Sequence, residues 1–378
     1  MPEITPTPTP SRFECHLPDV GSYYVTSYYS VAKYLGKAKN LMFIDPLCYN
    51  RTPLPTKTPS STVTPTNTPT PTTSSPLTPI ISGSWSNITP IPNLHGGAPG
   101  SSWHSVHYWS KLNRWYALYH TGAENSKGLT ASAVPAPTSW TQLTLPASAY
   151  WFALASDSSY LYALGEYSVG YRSTNGSSWT PMGFTTSHGW TEMKKLGNIL
   201  FVSDPRAVGG NRISTNQGQT SAQLFSSDAL YDMDYDGVSW IALVNNSTTA
   251  KITMNGTSWS NITIPSTNGN SWTRITHGGN KWVVYNRNTL QASISNGTSD
   301  GLSWNLITLP AKPSEIIFYK NLYWLFVSDG TKVYYTNNFS NWQTMNHTAL
   351  NSPAVGAGNN RIVAFGNFST TSILSPAL

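Results

Sequence analysis

A unit of about 41 residues recurs seven times between residues 106 and 366 of this 378-residue chain, and few folds can accommodate such a period. Each unit holds a short alternating strand, a tight polar turn and a more apolar strand. Examples are VHYWSKLNRWYALY (106–119), YDMDYDGVSWIALV (231–244) and RITHGGNKWVVYN (274–286). Aligning the first apolar residue after each turn gives Trp115, Leu161, Leu200, Trp240, Trp282, Trp324 and Ile362, with steps of 46, 39, 40, 42, 42 and 38 residues. Turns such as Leu-Gly-Asn, Asp-Gly, Gly-Gly-Asn and Gly-Asn-Asn supply the positive φ that short hairpins need. Between these hairpins a Ser/Thr/Asn/Gly turn runs into Trp, as in STNGSSW ending at Trp179 and TMNGTSW ending at Trp259. The same turn ends at Trp304 and Trp342. Two hairpins per unit make a four-stranded blade, and radial repetition of blades is a β-propeller.

The chain ends confirm the arithmetic. After AVGAGNNRIVAFG (354–366) one more strand fits, and the fourth strand of that blade is found at the start, as SGSWSNIT around Trp85. The reading is therefore an all-β, seven-bladed β-propeller closed by an N-terminal strand, with six or eight blades as fallback counts. Composition agrees. Charged residues are 10% of the chain against roughly 25% in an average soluble protein, too few for the outer faces of solvated helices. The recurring Trp115, Trp240, Trp282 and Trp324 are expected to fill inter-blade core, and the turn tryptophans to lock outer strands.

Composition also divides the chain. Residues 1–12 are a Pro/Thr-rich tail. Residues 13–50 are an aromatic island, too small to fold well alone and expected to dock on a partner. Its docking side chains are Tyr23, Tyr24, Tyr28, Tyr29, Val31, Tyr34, Leu35, Met42 and Phe43. Residues 51–80 hold 8 Pro, 11 Thr and 4 Ser and read as an extended linker. Residues 81–378 are the propeller. Cys15 and Cys48 exclude a disulfide scaffold, and both a single bridge and two free thiols fit that count. The +6 formal charge is scattered rather than clustered, so nucleic acid is not an expected partner. No secretory signal and no apolar run of membrane-spanning length is present.

The turn-plus-Trp segments resemble Asp-box repeats, Ser-x-Asp-x-Gly-x-Thr-Trp, of sialidase-like propellers. Thr298–Trp304 carries Asp300, Gly301 and Trp304, while Asn175 and Asn255 stand where the acid would be. The whole layout of anchor island, Pro/Thr spacer and low-charge propeller is similar to that of structural proteins of marine bacteriophage virions. That resemblance implies a non-enzymatic tail fibre, tail protein or capsid decoration protein in a large symmetric assembly. It would be attached to other virion proteins through residues 1–80, with a host glycan or receptor as a further partner. The alternatives are a secreted or cell-surface lectin-like propeller of a bacterium and, behind it, a glycoside hydrolase of sialidase-like fold.

Catalytic constellations are hard to find. Sialidase chemistry needs an arginine triad, a Tyr–Glu pair and an acid. Glu166–Tyr167 are adjacent, which on a strand turns them to opposite faces. Asp232, Asp234 and Asp236 open like a calcium loop, but its twelfth position is Leu243, so a hairpin turn is preferred and the three remain weak metal candidates. His104 and His107 are three apart, a spacing that sends strand side chains to opposite faces. Ligand contacts, where there are any, are assigned to the non-repeating aromatics Trp109, Tyr119, Tyr150, Tyr167 and Tyr171. No cofactor is expected.

Overall fold

The computed structural model describes residues 13–17, 21–25, 78–88, 102–120, 125–134, 136–166, 169–184, 189–267, 269, 271–295, 303–366 and 372–378. The chain divides into two units, Met1–Thr73 and Ser74–Leu378. In the first, strands Phe13–Leu17 and Gly21–Val25 form an antiparallel hairpin with Cys15 opposite Tyr23. Tyr23 and Tyr24 of the expected docking set fall in its second strand. Tyr28, Tyr29, Val31, Tyr34, Leu35, Met42, Phe43 and Cys48 lie outside the described residues.

The second unit is seven four-stranded antiparallel sheets, with no helix among the described residues. Their innermost strands are Ser102–Trp109, Trp151–Ser156, Glu192–Leu196, Leu230–Tyr235, Arg274–Gly278, Pro313–Tyr319 and Ala354–Gly358, which begin blades 1 to 7. Each innermost strand packs against the next, and the seventh packs against the first, so the sheets close into a ring. At that seam Gly356 comes so close that a Cβ would lie 2.4 Å from the Val106 carbonyl oxygen. The seven-bladed reading holds.

The second strand of every blade is sandwiched between neighbouring sheets and therefore reads as an unbroken apolar run. Leu161–Gly165 and Ile199–Ser203 are buried at every residue. The aligned positions Trp115, Leu161, Leu200, Trp240, Trp282, Trp324 and Ile362 are all core. Hairpins between first and second strands use left-handed residues, as in Gly279-Asn280 (φ 52° and 59°) and Asn359-Asn360 (φ 45° and 58°). Lys320-Asn321 achieves the same pair of angles with no glycine (φ 52° and 60°).

Closure uses the start of the unit. Ser86–Asn87 pairs antiparallel with Ser372–Leu374, Ser86 opposite Leu374 and Asn87 opposite Ile373. The Ile88 amide donates to the Ser372 carbonyl at 3.0 Å. Trp85 stands edge-on to Phe326 (5.8 Å) and Trp324 (6.4 Å), which ties the closing strand to blade 6 as well as blade 7. Upstream, buried Thr78 donates through Oγ1 to Asn337 Oδ1 (2.9 Å) and the Asn341 carbonyl (2.8 Å). The last residues of the expected 51–80 linker are therefore already bound to blade 6.

The turn before each outer strand is built the same way four times. In blade 4, Thr253 Oγ1 accepts the amides of Asn255 (3.3 Å) and Gly256 (3.1 Å), and Asn255 Oδ1 accepts those of Thr257 (2.9 Å) and Ser258 (2.8 Å). Ser173/Asn175, Ser214/Asn216 and Thr336/Asn338 repeat the scheme. The turn needs an acceptor oxygen at this position, and a neutral amide serves. Asn255→Ala should therefore cost about 1–2 kcal/mol, because two amides lose their acceptor, while Asn255→Asp should be close to neutral. Chemical denaturation of the two variants checks this.

Candidate functional site

Charge is distributed unevenly around the ring. The innermost strands of blades 7, 1 and 2 carry no Asp, Glu, Lys or Arg. Those of blades 3 to 6 hold Glu192 and Lys194, Asp232 and Asp234, Arg274, and Glu315, placed two apart within a strand so that they share the inner face. Glu192, Lys194, Arg274 and Glu315 line a central channel of about 610 Å³, and Asp232 and Asp234 lie behind that lining. One half of its wall is charged and holds Glu192, Lys194, Arg274, Arg287 and Glu315. The other half is largely uncharged and includes Val106, His107, Phe152, Leu154 and Val355.

The charged half is bonded across blades. Lys194 Nζ lies 2.7 Å from Asp232 Oδ1 and donates to the Ile275 carbonyl at 3.2 Å. Asp232, wholly buried, accepts the Ile275 amide on Oδ2 at 3.0 Å, and Asp234 accepts the His277 amide at 2.8 Å. Arg274 reaches back past blade 4 to Glu192 at 3.3 Å. Arg287 holds Glu315 Oε2 at 2.6 Å, and the Tyr285 hydroxyl donates to Oε1 at 3.0 Å. Four consecutive blades are thus tied together from inside the channel.

Proton affinities follow from these contacts. Burial would lower the Lys194 ammonium, but the Asp232, Asp234 and Glu192 carboxylates outweigh it and hold the group firmly charged. Burial raises Glu315, yet Arg287 and Arg274 bring it below its ordinary value. Glu192 is raised, by burial first and then by Asp232, against the pull of Arg274. Burial pushes Asp234 up to about 6, with Lys194 only partly countering it. A raised carboxyl contributes stability that is fully present below its unfolded value and lost as pH rises through about 6. Asp234→Asn should therefore lose least, relative to the parent, at pH 7–8 and most near pH 4. Denaturation midpoints across that range test it, with carboxyl NMR of Asp234 locating the titration.

Backbone bulges on both halves help decide what faces the channel. The pairing slips between Trp103 and Ser105, between Trp151 and Ala153, and between Pro313 and Glu315, leaving His104, Phe152 and Ser314 as extra residues. All three line the channel. The His104 and Phe152 rings meet at 4.6 Å. The bulge also corrects the expectation for the two histidines: His104 leaves the two-residue alternation, so His104 and His107 both reach the channel. His107 Nε2 lies 2.8 Å from Ser156 Oγ, and burial lowers the imidazole to about 4.

The residues singled out from sequence fall elsewhere. Trp109 and Tyr119 are wholly buried, and this corrects their assignment as ligand contacts. Trp109 closes the gap between blades 1 and 2 and donates Nε1 to the Asp157 carbonyl at 2.8 Å. Tyr119 packs on Trp103 at 5.3 Å. Tyr150 and Tyr171 are half-buried and do not line the channel, and Tyr167 lies outside the described residues. Asp236 caps its own hairpin turn, accepting the Val238 and Ser239 amides at 2.7 and 2.6 Å. With Asp232 and Asp234 turned to the ion-pair belt, the three carboxylates do not converge. Among the described residues no group of three or more His, Cys, Asp or Glu is placed to hold a metal ion.

The chain is thus a seven-bladed β-propeller whose channel is charged on one side and largely uncharged on the other. No protein-family model matches it, and no curated protein sequence does. Solved structures share the fold. A streptogramin B lyase superposes with a TM-score of 0.61 at 12% identity, over 77% of this chain and 97% of that one. YCF48 from Cyanidioschyzon merolae gives 0.58 at 12%, over 77% and 98%, and YCF48 bound to D1 peptide gives 0.57 at 11%, over 79% and 96%. At such identities the likeness extends to the fold alone.

Proposed function

We propose that this protein is a non-catalytic recognition propeller, attached to a larger assembly through its N-terminal unit and presenting the ring to a binding partner. The setting its layout fits is a bacteriophage virion, as a tail fibre, tail protein or capsid decoration protein, with a host-surface glycan or receptor or a neighbouring subunit as partner. The observation that carries the binding reading is the state of the channel. Each cation of its wall is held by a carboxylate, Lys194 by the buried Asp232, Arg274 by Glu192 and Arg287 by Glu315, and Glu315 is further fixed by Tyr285. Such a belt rigidifies a surface, and its carboxylates are engaged by cations rather than set beside a nucleophile. The Asn-capped turns fit the Asp-box style of glycan-recognising propellers, and the YCF48 structure with D1 peptide is an example of this fold holding a peptide.

A second reading, catalysis at the channel, draws on two observations: the raised Glu192 and Asp234 carboxyls, and the lyase among the similar structures. The test is to present the full chain with immobilised glycans, peptides and cyclic depsipeptides, and to follow both retention and product formation by mass spectrometry. Retention without turnover is expected. Turnover that is lost on Glu192→Gln would overturn the non-catalytic reading.

A further inference from the structure

The cations of the channel wall are all paired, but they use their hydrogen-bonding capacity unevenly. Lys194 spends its ammonium on the buried Asp232 and the Ile275 carbonyl. Arg274 divides its two terminal nitrogens between the Thr273 carbonyl and Glu192. Arg287 differs. A guanidinium carries five N–H donors, and among the described residues this one makes a single side-chain contact, from one terminal nitrogen to Glu315 Oε2 at 2.6 Å. Its side chain is 39% exposed, against 26% for Lys194 and 18% for Arg274. Both oxygens of Glu315 are already taken, by Arg287 and Tyr285. Unspent N–H donors on a permanent positive charge are therefore what this part of the wall offers a ligand.

Arg287 is also held in place. It follows the second strand of blade 5, Lys281–Tyr285, in a turn organised by the buried Asn286. Asn286 donates Nδ2 to the Ser271 carbonyl at 2.7 Å and accepts the Asn288 amide at 2.8 Å, while the Arg287 amide donates to Thr273 Oγ1 at 3.1 Å. The exposed Asn288 lines the channel beside it. The local field favours a carboxylate: Glu315 lies below its ordinary value despite burial, because Arg287, Arg274 and Lys194 act on it together. Elsewhere on the wall of this cavity of about 610 Å³, a small-molecule volume, the half-buried Phe152, Ile317 and Val355 supply an aromatic and apolar surface.

We propose that the channel binds an organic carboxylate, its oxygens on the open edge of the Arg287 guanidinium and the Asn288 side chain, and its apolar or aromatic body against Phe152, Ile317 and Val355. A guanidinium fork presents separate edges, so Glu315 keeps one while the ligand takes another. A neutral analogue of the same shape forgoes the charge-assisted bonds, and an ammonium brings a like charge to Arg287. The inference rests on the binding reading above and names the ligand class of the channel. Two sources carry such a group, a small free acid and the C-terminus of a peptide, and the experiment separates them.

The experiment is calorimetric titration of the full chain with 3-phenylpropionate, 3-phenylpropanamide and 3-phenylpropylamine, at low and high salt. An acetylated tripeptide ending in phenylalanine, as free acid and as amide, completes the series. At least one of the two acids should bind with Kd of about 1 mM or tighter, about tenfold or more better than its amide, and weaken as salt rises. Tighter binding of the tripeptide acid than of 3-phenylpropionate assigns the source to a peptide end, and the reverse to a small acid. Arg287→Lys keeps a charged partner for Glu315 but loses the fork, and should weaken the acid about fivefold or more. Arg287→Gln combined with Glu315→Gln removes both charges and should abolish the preference for acid over amide. Phe152→Leu should weaken acid and amide alike. Equal affinity for acid and amide, preference for the amine, or no heat with either acid would each overturn the inference. The wild-type series decides this even where a variant fails to fold. Failure here beside retention on immobilised glycans or peptides leaves the binding reading standing, and failure of both removes it.

Discussion

Asp232→Ala should lower the stability of the ring by about 3 kcal/mol, near the low end of what breaking a buried ion pair costs. Asp232 is fully buried and accepts three donors: the Lys194 ammonium (2.7 Å), the Ile275 amide of the next blade (3.0 Å) and the Met233 amide (2.7 Å). Truncation takes this acceptor from two buried amides and leaves the ammonium short of its nearest partner. Two effects soften the loss. Asp234 and Glu192 still face Lys194, and removing Asp232 takes away a charge that raises both of them. At about 2 °C per kcal/mol for a domain of this size, a fall in Tm of about 6 °C is expected. Asp232→Asn keeps one acceptor and should cost less. Lys194→Met added to Asp232→Ala should recover about 1 kcal/mol or more, a coupling that independent sites would not show. The Asp234 carboxyl should titrate below 6 in Asp232→Ala, since Asp232 is one of the charges that hold it up.

Shortening the chain from residue 74 to residue 89 should separate a folded propeller from an insoluble one. The 74–378 fragment retains Thr78 on blade 6 and the closing strand Ser86–Asn87 on blade 7. The 89–378 fragment loses both. It leaves Ser372–Leu374 as an open edge, a template for pairing with other chains, and it uncovers Trp324 and Phe326, on which Trp85 packs. Trp85→Ala isolates the packing part of that effect and should cost about 3 kcal/mol, since large-to-small changes of buried Trp cost 3–5. Soluble yield and thermal melts of the two fragments are the check. An 89–378 fragment as stable as 74–378 would mean that the ring does not depend on its N-terminal strand.

The fold was legible because its signals are local. Each hairpin announces itself through a two- or three-residue turn that needs positive φ, and each buried second strand through an apolar run led by a residue such as Trp240 or Trp324. Closure was legible from the strand count alone. The channel was not. Its ion pairs join residues far apart in sequence, Lys194 to Asp232 and Glu192 to Arg274, and nothing in either segment names the other. One signal was available: in a chain with so little charge, the strands before the hairpins of blades 3 to 6 each hold at least one Asp, Glu, Lys or Arg, and those of blades 7, 1 and 2 hold none. The bulges at His104 and Phe152 left no mark, because the extra residue of a bulge needs no particular residue type. Trp109 misled for a related reason. It stands outside the repeat alignment, yet a residue ending an innermost strand still faces the neighbouring blade.

Assembly state is the most direct test of the central claim, a propeller carried by its N-terminal unit. Sedimentation velocity of the full chain beside the 74–378 fragment, with imaging of both, reads it out. The fragment should be a ring-shaped monomer, and the full chain should self-associate or enter a larger particle through residues 1–73. Two monomers of the same behaviour, differing only by the mass removed, would contradict it.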